Sequence, residues 1–363
     1  MTSRSNDNKI TLFYPNVPRK AIVAVQKTLK SRWIGQGPKV LEFEKLWEQK
    51  ISSPHRAVAV GSGTDALHLA YILAGIGEGD EVISPVFTCV ATNMTLLYQK
   101  AKIVFADVRK DSLNIDPKDV ERKITPRTKA IVVVHYGGVP ADLDEIRAIA
   151  DKHKIPVIED AAQAQGSVYK NRKIGSISDF TCFSFQALKM ITTADGGMLT
   201  VKNPKLASKA KRLRWFGIDR DKKFENKWDT DITEVGYKYQ MTDVAATMGV
   251  AGLKDFDKTL SHHQKLANTY KKELEGVKDV IYIGGPWLCT ILTENRDKIK
   301  IKLSEKGIES GEVHYRNDRY SVFGGKVSNC PNMDALDGKY LVLPQHYHLT
   351  VKDIKHICSV MKK

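Results

Sequence analysis

An α/β fold with a mainly parallel sheet is predicted by three features of the sequence. Short, continuous apolar runs recur along the first two-thirds of the chain, segments with helical spacing alternate with them, and a length of 363 residues suits one large and one smaller domain. Strands buried on both faces read as unbroken apolar runs, and strands alternating with helices pair in parallel. The expected architecture is a large domain over residues 21–257, its sheet flanked by helices, and a smaller α+β C-terminal domain over 258–363, with residues 1–20 packing on the latter.

The elements follow in order. Ala57-Val-Ala-Val60 reads as a strand and Thr64 to Ala74, rich in Ala and Leu, as a helix. Glu81-Val-Ile-Ser84 is a second strand, followed by a helix from Ala91 to Gln99. Ile103-Val-Phe-Ala106 and Ala130-Ile-Val-Val-Val134 continue the series. Leu143, Ile146, Ile149 and Ala150 recur at helical spacing between Asp142 and His153. Pro156 to Asp160, Phe180 to Phe185 and Gly197 to Val201 are further strands. Beyond about Lys258 the pattern changes to a long polar helix, Ser261 to Leu274, and then to mixed strand and helix.

Composition narrows the function. Hydrophobic residues at 42% and charged residues at 27% exclude wholesale disorder. No apolar run reaches the ~18 residues of a membrane helix, and the polar start, Met1 to Ile10, lacks a signal peptide's apolar segment. The expectation is a soluble, cytoplasmic protein with no membrane partner. The five cysteines are scattered and form no C-x-x-C pair, which argues against a disulfide framework and a structural zinc site. The net charge is +15, and the stretch from Lys205 to Lys227 holds nine basic residues against three acidic ones. It lacks zinc-finger, basic-zipper and RNA-binding signatures. A solvated lysine-rich face and an anionic small substrate are the two readings of that charge; no nucleic-acid partner is expected.

Three stretches fall at the carboxyl ends of predicted strands, where open α/β sheets bind ligands. Gly61-Ser-Gly-Thr-Asp-Ala-Leu67 joins a strand to a helix, as a phosphate loop or as a plain tight turn. Glu159-Asp160-Ala-Ala-Gln163 puts a carboxylate where a strand ends, suited either to a cationic ring nitrogen or to helix capping. From Phe180 to Ala194 the only charged residue is Lys189, where the chain average of 27% would place about four. An amine in apolar surroundings loses its proton more readily and becomes a nucleophile, unless it merely snorkels from a strand end. Phosphate loop, carboxylate and isolated lysine, in this order, suit pyridoxal phosphate; no metal is expected.

These stretches belong to eight blocks in which the chain, from Pro15 to its C-terminus, resembles the DegT/DnrJ/EryC1/StrS family of nucleotide-sugar aminotransferases. The blocks are GQGP at 35–38, GSGTDAL at 61–67, GDEVISPVFTCVATN at 79–93, VIEDAAQAQG at 157–166, FSFQALKMITTADGG at 183–197, GYKYQMTDVAA at 236–246, VHYRND at 313–318 and LPQHYHLT at 343–350. The resemblance implies pyridoxal-phosphate fold type I. It implies that Lys189 is the catalytic residue, carrying the cofactor and shuttling the substrate proton, and that Asp160 pairs with the ring nitrogen. It also implies Gln163 beside the phenolic oxygen, and the phosphate on the N–H groups of Gly63, Thr64 and Asp65 with the Ser184 hydroxyl. Family enzymes are homodimers with shared active sites, so Lys238 in the GYKYQMT block would reach the neighbouring cofactor. Many relatives have an aromatic residue where this chain has Cys89, asparagine where it has Lys238, and histidine where it has Gln186. Trp33, Gln186, His314 and Tyr315 are candidate substrate contacts.

The implied activity is amino transfer from an amino acid, by family habit glutamate, to a nucleotide-linked 3- or 4-keto-deoxy sugar. The rivals are another cofactor-dependent reaction at the sugar, such as dehydration, and a non-catalytic, regulatory or nucleic-acid-binding relative that kept the fold. In the dehydratase branch a histidine replaces the lysine, and here Lys189 is present.

Overall fold

The computed structural model describes residues 9–220 and 231–362. Two helices come first, α1 (Arg19–Leu29) and α2 (Pro38–Trp47), ahead of the expected series. Both start at a proline: Pro18 caps α1, and Pro38 opens α2, where its fixed φ is already helical. The series itself follows: β1 (Arg56–Val60), α3 (Gly63–Leu73), β2 (Glu81–Pro85), β3 (Phe87–Thr88), α4 (Val90–Tyr98), β4 (Lys102–Ala106), α5 (Pro117–Lys123), β5 (Thr128–Val134), α6 (Leu143–His153) and β6 (Val157–Asp160). A small hairpin of β7 (Val168–Tyr169) and β8 (Arg172–Lys173) precedes β9 (Phe180–Ser184), β10 (Gly197–Val201) and α7 (Pro204–Leu213). The helix α7 carries Lys205, Lys209, Lys211 and Arg212 of the basic stretch; Lys222, Lys223 and Lys227 lie outside the described residues.

Seven strands form the main sheet in the order β1-β10-β9-β6-β5-β2-β4. Only β10 runs against its neighbours; the other six are co-directional. Their residues alternate between two cores. Along β1, Ala57 and Ala59 join a cluster with Phe43 and Trp47 of α2, while Val58 and Val60 join another with Leu69 of α3 and Ala210 of α7. Burial on both faces is why these strands are apolar throughout. Because β1, β6 and β9 run the same way, their carboxyl ends at Val60, Asp160 and Ser184 open on one side of the sheet.

The helix α8 (Asp243–Lys254) packs on α1 and α2. The next helix, α9 (Phe256–Leu274), begins five residues before the expected Ser261. Its first turn is charged and looks like a loop, but Phe256 and Leu260 press on Gly166, and that packing extends the helix. The rest comprises β11 (Ile281–Tyr282), β12 (Cys289–Leu292), α10 (Arg296–Glu305), β13 (Tyr315–Arg316), α11 (Pro331–Leu336), β14 (Tyr340–Leu343) and α12 (Val351–Lys362). An antiparallel sheet, β11-β12-β14, shares a third apolar cluster with α9, α10 and α12. Two contacts tie this part to the site. Tyr315 pairs with Thr88 across β13 and β3, and the N-terminal segment bridges Ile10 to Ile308, with Thr11 and Pro15 carbonyls accepting from His346 and His348. Among the described residues no helix is long and apolar enough to cross a membrane.

Candidate active site

Lys189 lies in the turn that leaves β9. The turn is closed by its own N–H donating to the Gln186 carbonyl at 2.9 Å, and by the Leu188 N–H donating to Gln186 Oε1 at 3.0 Å. The candidate substrate contact Gln186 is thus exposed and occupied in shaping this turn. Buried Gln165 braces the turn: its amide nitrogen donates to the Ser184 carbonyl at 2.8 Å and its oxygen accepts from the Ile191 N–H at 2.8 Å. Burial penalises the ammonium and lowers Lys189 to about 8, against the pull of Cys89 and Asp160. Its Nζ lies 3.8 Å from the centroid of the Trp287 ring.

Asp160 ends β6 and is 4% exposed. One oxygen accepts from the Ala162 N–H at 3.0 Å, the turn-capping bond that the alternative reading expects; the other accepts from Thr92 Oγ1 at 2.6 Å. No ion pair reaches this buried carboxylate among the described residues. Burying such a charge is costly, so the site is suited to a cation delivered by a ligand. The neighbouring Glu159 is satisfied from within the fold. Burial would raise it, but His135 Nε2 at 2.7 Å and the Ser178 N–H hold it below the usual carboxylate range.

Gln163 is oriented by its partners. Its Oε1 accepts from the Gly137 N–H at 2.7 Å, so its amide nitrogen donates to His314 Nε2 at 3.0 Å, which leaves the imidazole proton on Nδ1. Burial and the nearby Lys189 push His314 down to about 3, so this ring is neutral throughout the working pH range. The following Gly138 is confined to a positive φ of 88°, and a Cβ there would meet the Gln163 carbonyl at 2.9 Å. Cys89 sits at the start of α4, its thiol pushed up by burial and sensing both Asp160 and Lys189. Tyr315 carries the Arg319 guanidinium 4.4 Å over its ring.

The helix α3 points its N-terminus at the same side of the sheet. Ser62 caps it by accepting from the Asp65 N–H at 3.0 Å, which leaves the N–H groups of Gly63 and Thr64 without helical partners. Asp65, expected to offer its N–H to a phosphate, therefore gives it to Ser62 instead; burial raises its carboxyl to about 6. A Cβ at Gly63 would lie 2.8 Å from Ser184 Cβ, so glycine lets the helix start approach the serine hydroxyl. A dipole-positive helix end beside the Ser184 hydroxyl, whose oxygen accepts from the Gln186 N–H at 3.3 Å and whose proton is left to donate, forms an anion cradle.

The structure thus brings together Lys189, Asp160, Gln163, Cys89 and His314, with Gly63, Thr64 and Ser184 at the adjoining strand ends. It does not bring Lys238 or Trp33 into that group within one chain. Lys238 Nζ lies 4.1 Å from the Trp215 ring centroid, although the Tyr239 carbonyl accepts from the Gly61 N–H at 2.7 Å. Trp33 packs on Gly37. Sequence reasoning missed Trp287 and Phe13, whose ring stacks on Trp287 at 6.1 Å and which nothing local in the sequence marks; it also passed over Gln165, although that residue lies in the VIEDAAQAQG block. Among the described residues no cluster of His, Cys, Asp and Glu is fit for a metal ion. A nucleophilic amine, a carboxylate awaiting a cation and an anion cradle fit a phosphorylated pyridinium aldehyde.

Comparison with known proteins identifies the family. The model of the DegT/DnrJ/EryC1/StrS aminotransferase family matches residues 16–362. Spore coat polysaccharide biosynthesis protein SpsC of Bacillus subtilis is 34% identical over 96% of this chain and 95% of its own. The sugar aminotransferase CalS13 of Micromonospora echinospora superposes with a TM-score of 0.92 at 30% identity, over 97% of this chain and 99% of the other. Spr1654 of Streptococcus pneumoniae, solved in its PLP form, gives 0.91 at 27% identity over 98% of both chains.

Proposed function

The chain belongs to the DegT/DnrJ/EryC1/StrS aminotransferase family, and from that membership we propose that it uses pyridoxal 5′-phosphate to move an amino group from glutamate to the 3- or 4-keto group of a nucleotide-linked deoxy sugar. The observation that carries this reading is the desolvated Lys189 amine on the same sheet edge as Asp160 and the Gly63–Ser184 cradle. SpsC, a polysaccharide biosynthesis protein, and CalS13, a sugar aminotransferase, support the sugar as acceptor.

When bound, the cofactor supplies an aldehyde that accepts the amino group and a cationic ring that draws electrons from the substrate carbon. The protein's part is to hold it and to move protons. Gly63, Thr64 and Ser184 would hold the phosphate, and Asp160 would keep the ring nitrogen protonated. Gln163, fixed by Gly137 and His314, still has one amide hydrogen to offer the ring's oxygen. Lys189 Nζ, lowered to about 8 by burial, would carry a proton between the nitrogen-bearing substrate carbon and the cofactor's aldehyde carbon in each half-reaction. The neutral His314 beside it cannot compete for that proton. Cys89 would cover the ring face as a small apolar group.

The purified enzyme should be yellow, and glutamate should bleach the visible band; a nucleotide-linked keto sugar should restore it. A protein that binds the cofactor yet shows no bleaching with any amino acid would refute the reading.

The reading extends to a homodimer in which Lys238 serves the neighbouring site, and to a division of the chain at residues 257/258. A mixture of Lys189→Ala and Lys238→Glu chains should then regain activity, because one site of the heterodimer has both native lysines. Exchanged chains without rescue would reject sharing.

A further inference from the structure

The Lys189 amine cannot stay bonded to the cofactor throughout a cycle, because the substrate nitrogen must take its place on the aldehyde carbon. Lowered to about 8 by burial, the free amine still carries its proton for most of the time at pH 7. A desolvated ammonium needs a partner. The charge of Asp160 reaches it, yet among the described residues no ion pair joins the two, and Nζ makes no hydrogen bond. What Nζ meets is the face of the Trp287 indole, 3.8 Å from the ring centroid.

That ring is fixed in place. Trp287 is buried, and its Nε1–H donates to the Leu188 carbonyl at 3.4 Å, in the same turn that carries Lys189. Its backbone N–H and that of Leu288 donate to the Gly137 carbonyl at 3.0 and 3.2 Å, so one peptide seats both this loop and Gln163. The preceding Pro286 carbonyl accepts from Gln345 Nε2 at 2.7 Å and from His263 Nδ1 at 3.0 Å. Phe13 stacks on the indole with the two planes 24° apart. A mere cover for the amine needs only volume, which leucine supplies. A tryptophan oriented by a bond to the lysine's own turn adds a negative ring face.

We propose that Trp287 is the resting platform of Lys189, holding the free amine as an ammonium on its ring face and so keeping it from pairing with Asp160. Aromatic faces attract cations within about 6 Å, tryptophan most strongly and desolvated sites most of all. Trp287 is then a positioning residue that acts through Lys189. It leaves the Asp160 carboxylate to the ring nitrogen while the amine waits within reach of its proton transfers. This assignment rests on Lys189 as the amine that carries the cofactor.

The test is the titration of Lys189 in the cofactor-free full-length chain, read by brief acetylation across pH and mass spectrometry of the peptide that carries it. Facing the amine are Cys89 from α4, Asp160 from β6 and His314 ahead of β13, and all three stay in every variant. The native midpoint should lie at about 8. Fluorinated tryptophans introduced at position 287 alone keep the ring's shape while weakening its negative face, so each added fluorine should lower the midpoint further. Trp287→Leu should lower it by about one pH unit, and Trp287→Phe by much less. In the holoenzyme, Trp287→Leu should slow single-turnover bleaching by glutamate about tenfold at saturation, with Trp287→Phe restoring most of the rate. Midpoints that ignore fluorination overturn the platform and leave Trp287 as a steric cover. A native holoenzyme that glutamate does not bleach would remove the aminotransferase reading instead, and the labelling midpoints would stand apart from that failure.

Discussion

Lys189→Ala is expected to abolish turnover, with a residual rate below about one part in 10⁴ of native, in line with removal of a nucleophile and proton carrier together. No other described amine sits in comparable surroundings. The nearest lysine-rich region, α7, is largely solvated, with Lys209 paired to Glu234. The amine should also betray itself by pH. In cofactor-free enzyme its reactivity towards an added aldehyde should rise as pH passes through about 8, whereas ordinary lysines become reactive only near 10.5. The sign for stability follows from the same shift. The folded state prefers the neutral amine, so the protonated form costs stability below about pH 8, and that cost fades as pH rises towards the unfolded value. Turnover by Lys189→Ala, or an amine that titrates with the surface lysines, would remove Lys189 from its role.

The second large effect belongs to Asp160→Asn. The amide is nearly isosteric: its oxygen can accept from the Ala162 N–H while its NH2 donates to Thr92 Oγ1, so the strand end should keep its shape. What it cannot do is hold a proton on a ring nitrogen by charge. Cofactor should stay bound through the Gly63–Ser184 cradle, while turnover falls roughly 10³- to 10⁴-fold, as in other sites where a single carboxylate sets a partner's protonation state. Spectroscopy of the bound cofactor and single-turnover rates with glutamate measure the two halves separately. A loss of only a few-fold would leave Asp160 as a turn cap, the role that its bond to Ala162 alone would describe.

The strands were readable because a sheet buried on both faces admits little but apolar residues, as in Ile131-Val-Val-Val134, where every residue is covered. The two N-terminal helices were not: α1 is amphipathic and mostly exposed, with only Ala21 and Thr28 buried, so its pattern competes with that of a polar loop. Within the site, the residues contributed by strand ends were legible in order, because chemistry at a sheet edge needs a charged or glycine-rich break in an apolar run. Lys189, Asp160 and Gly63 each sit at such a break. Trp287 and Phe13 sit at none. Trp287 meets Lys189, 98 positions away, and Phe13 meets Trp287, 274 positions away, only through folding, and a tryptophan in a loop carries no spacing signal. The orientation of Gln163 was likewise hidden, since it depends on Gly137 and on His314, 151 residues away.

Phe13, Trp287 and Lys189 form a stack whose members tolerate change very unequally. Ser184 and Lys189 hang from a strand whose side chains alternate between two cores, so a slip of one residue in β9 would turn the serine away from the cradle. Phe13 and Trp287 belong to irregular segments outside the seven-stranded sheet, where no register constrains them. Variation in those two segments can therefore reshape what meets the amine while the reacting groups stay in place. Selection for a new acceptor has a route through the N-terminal strap and the loop before β12 that leaves the strand-borne groups in register.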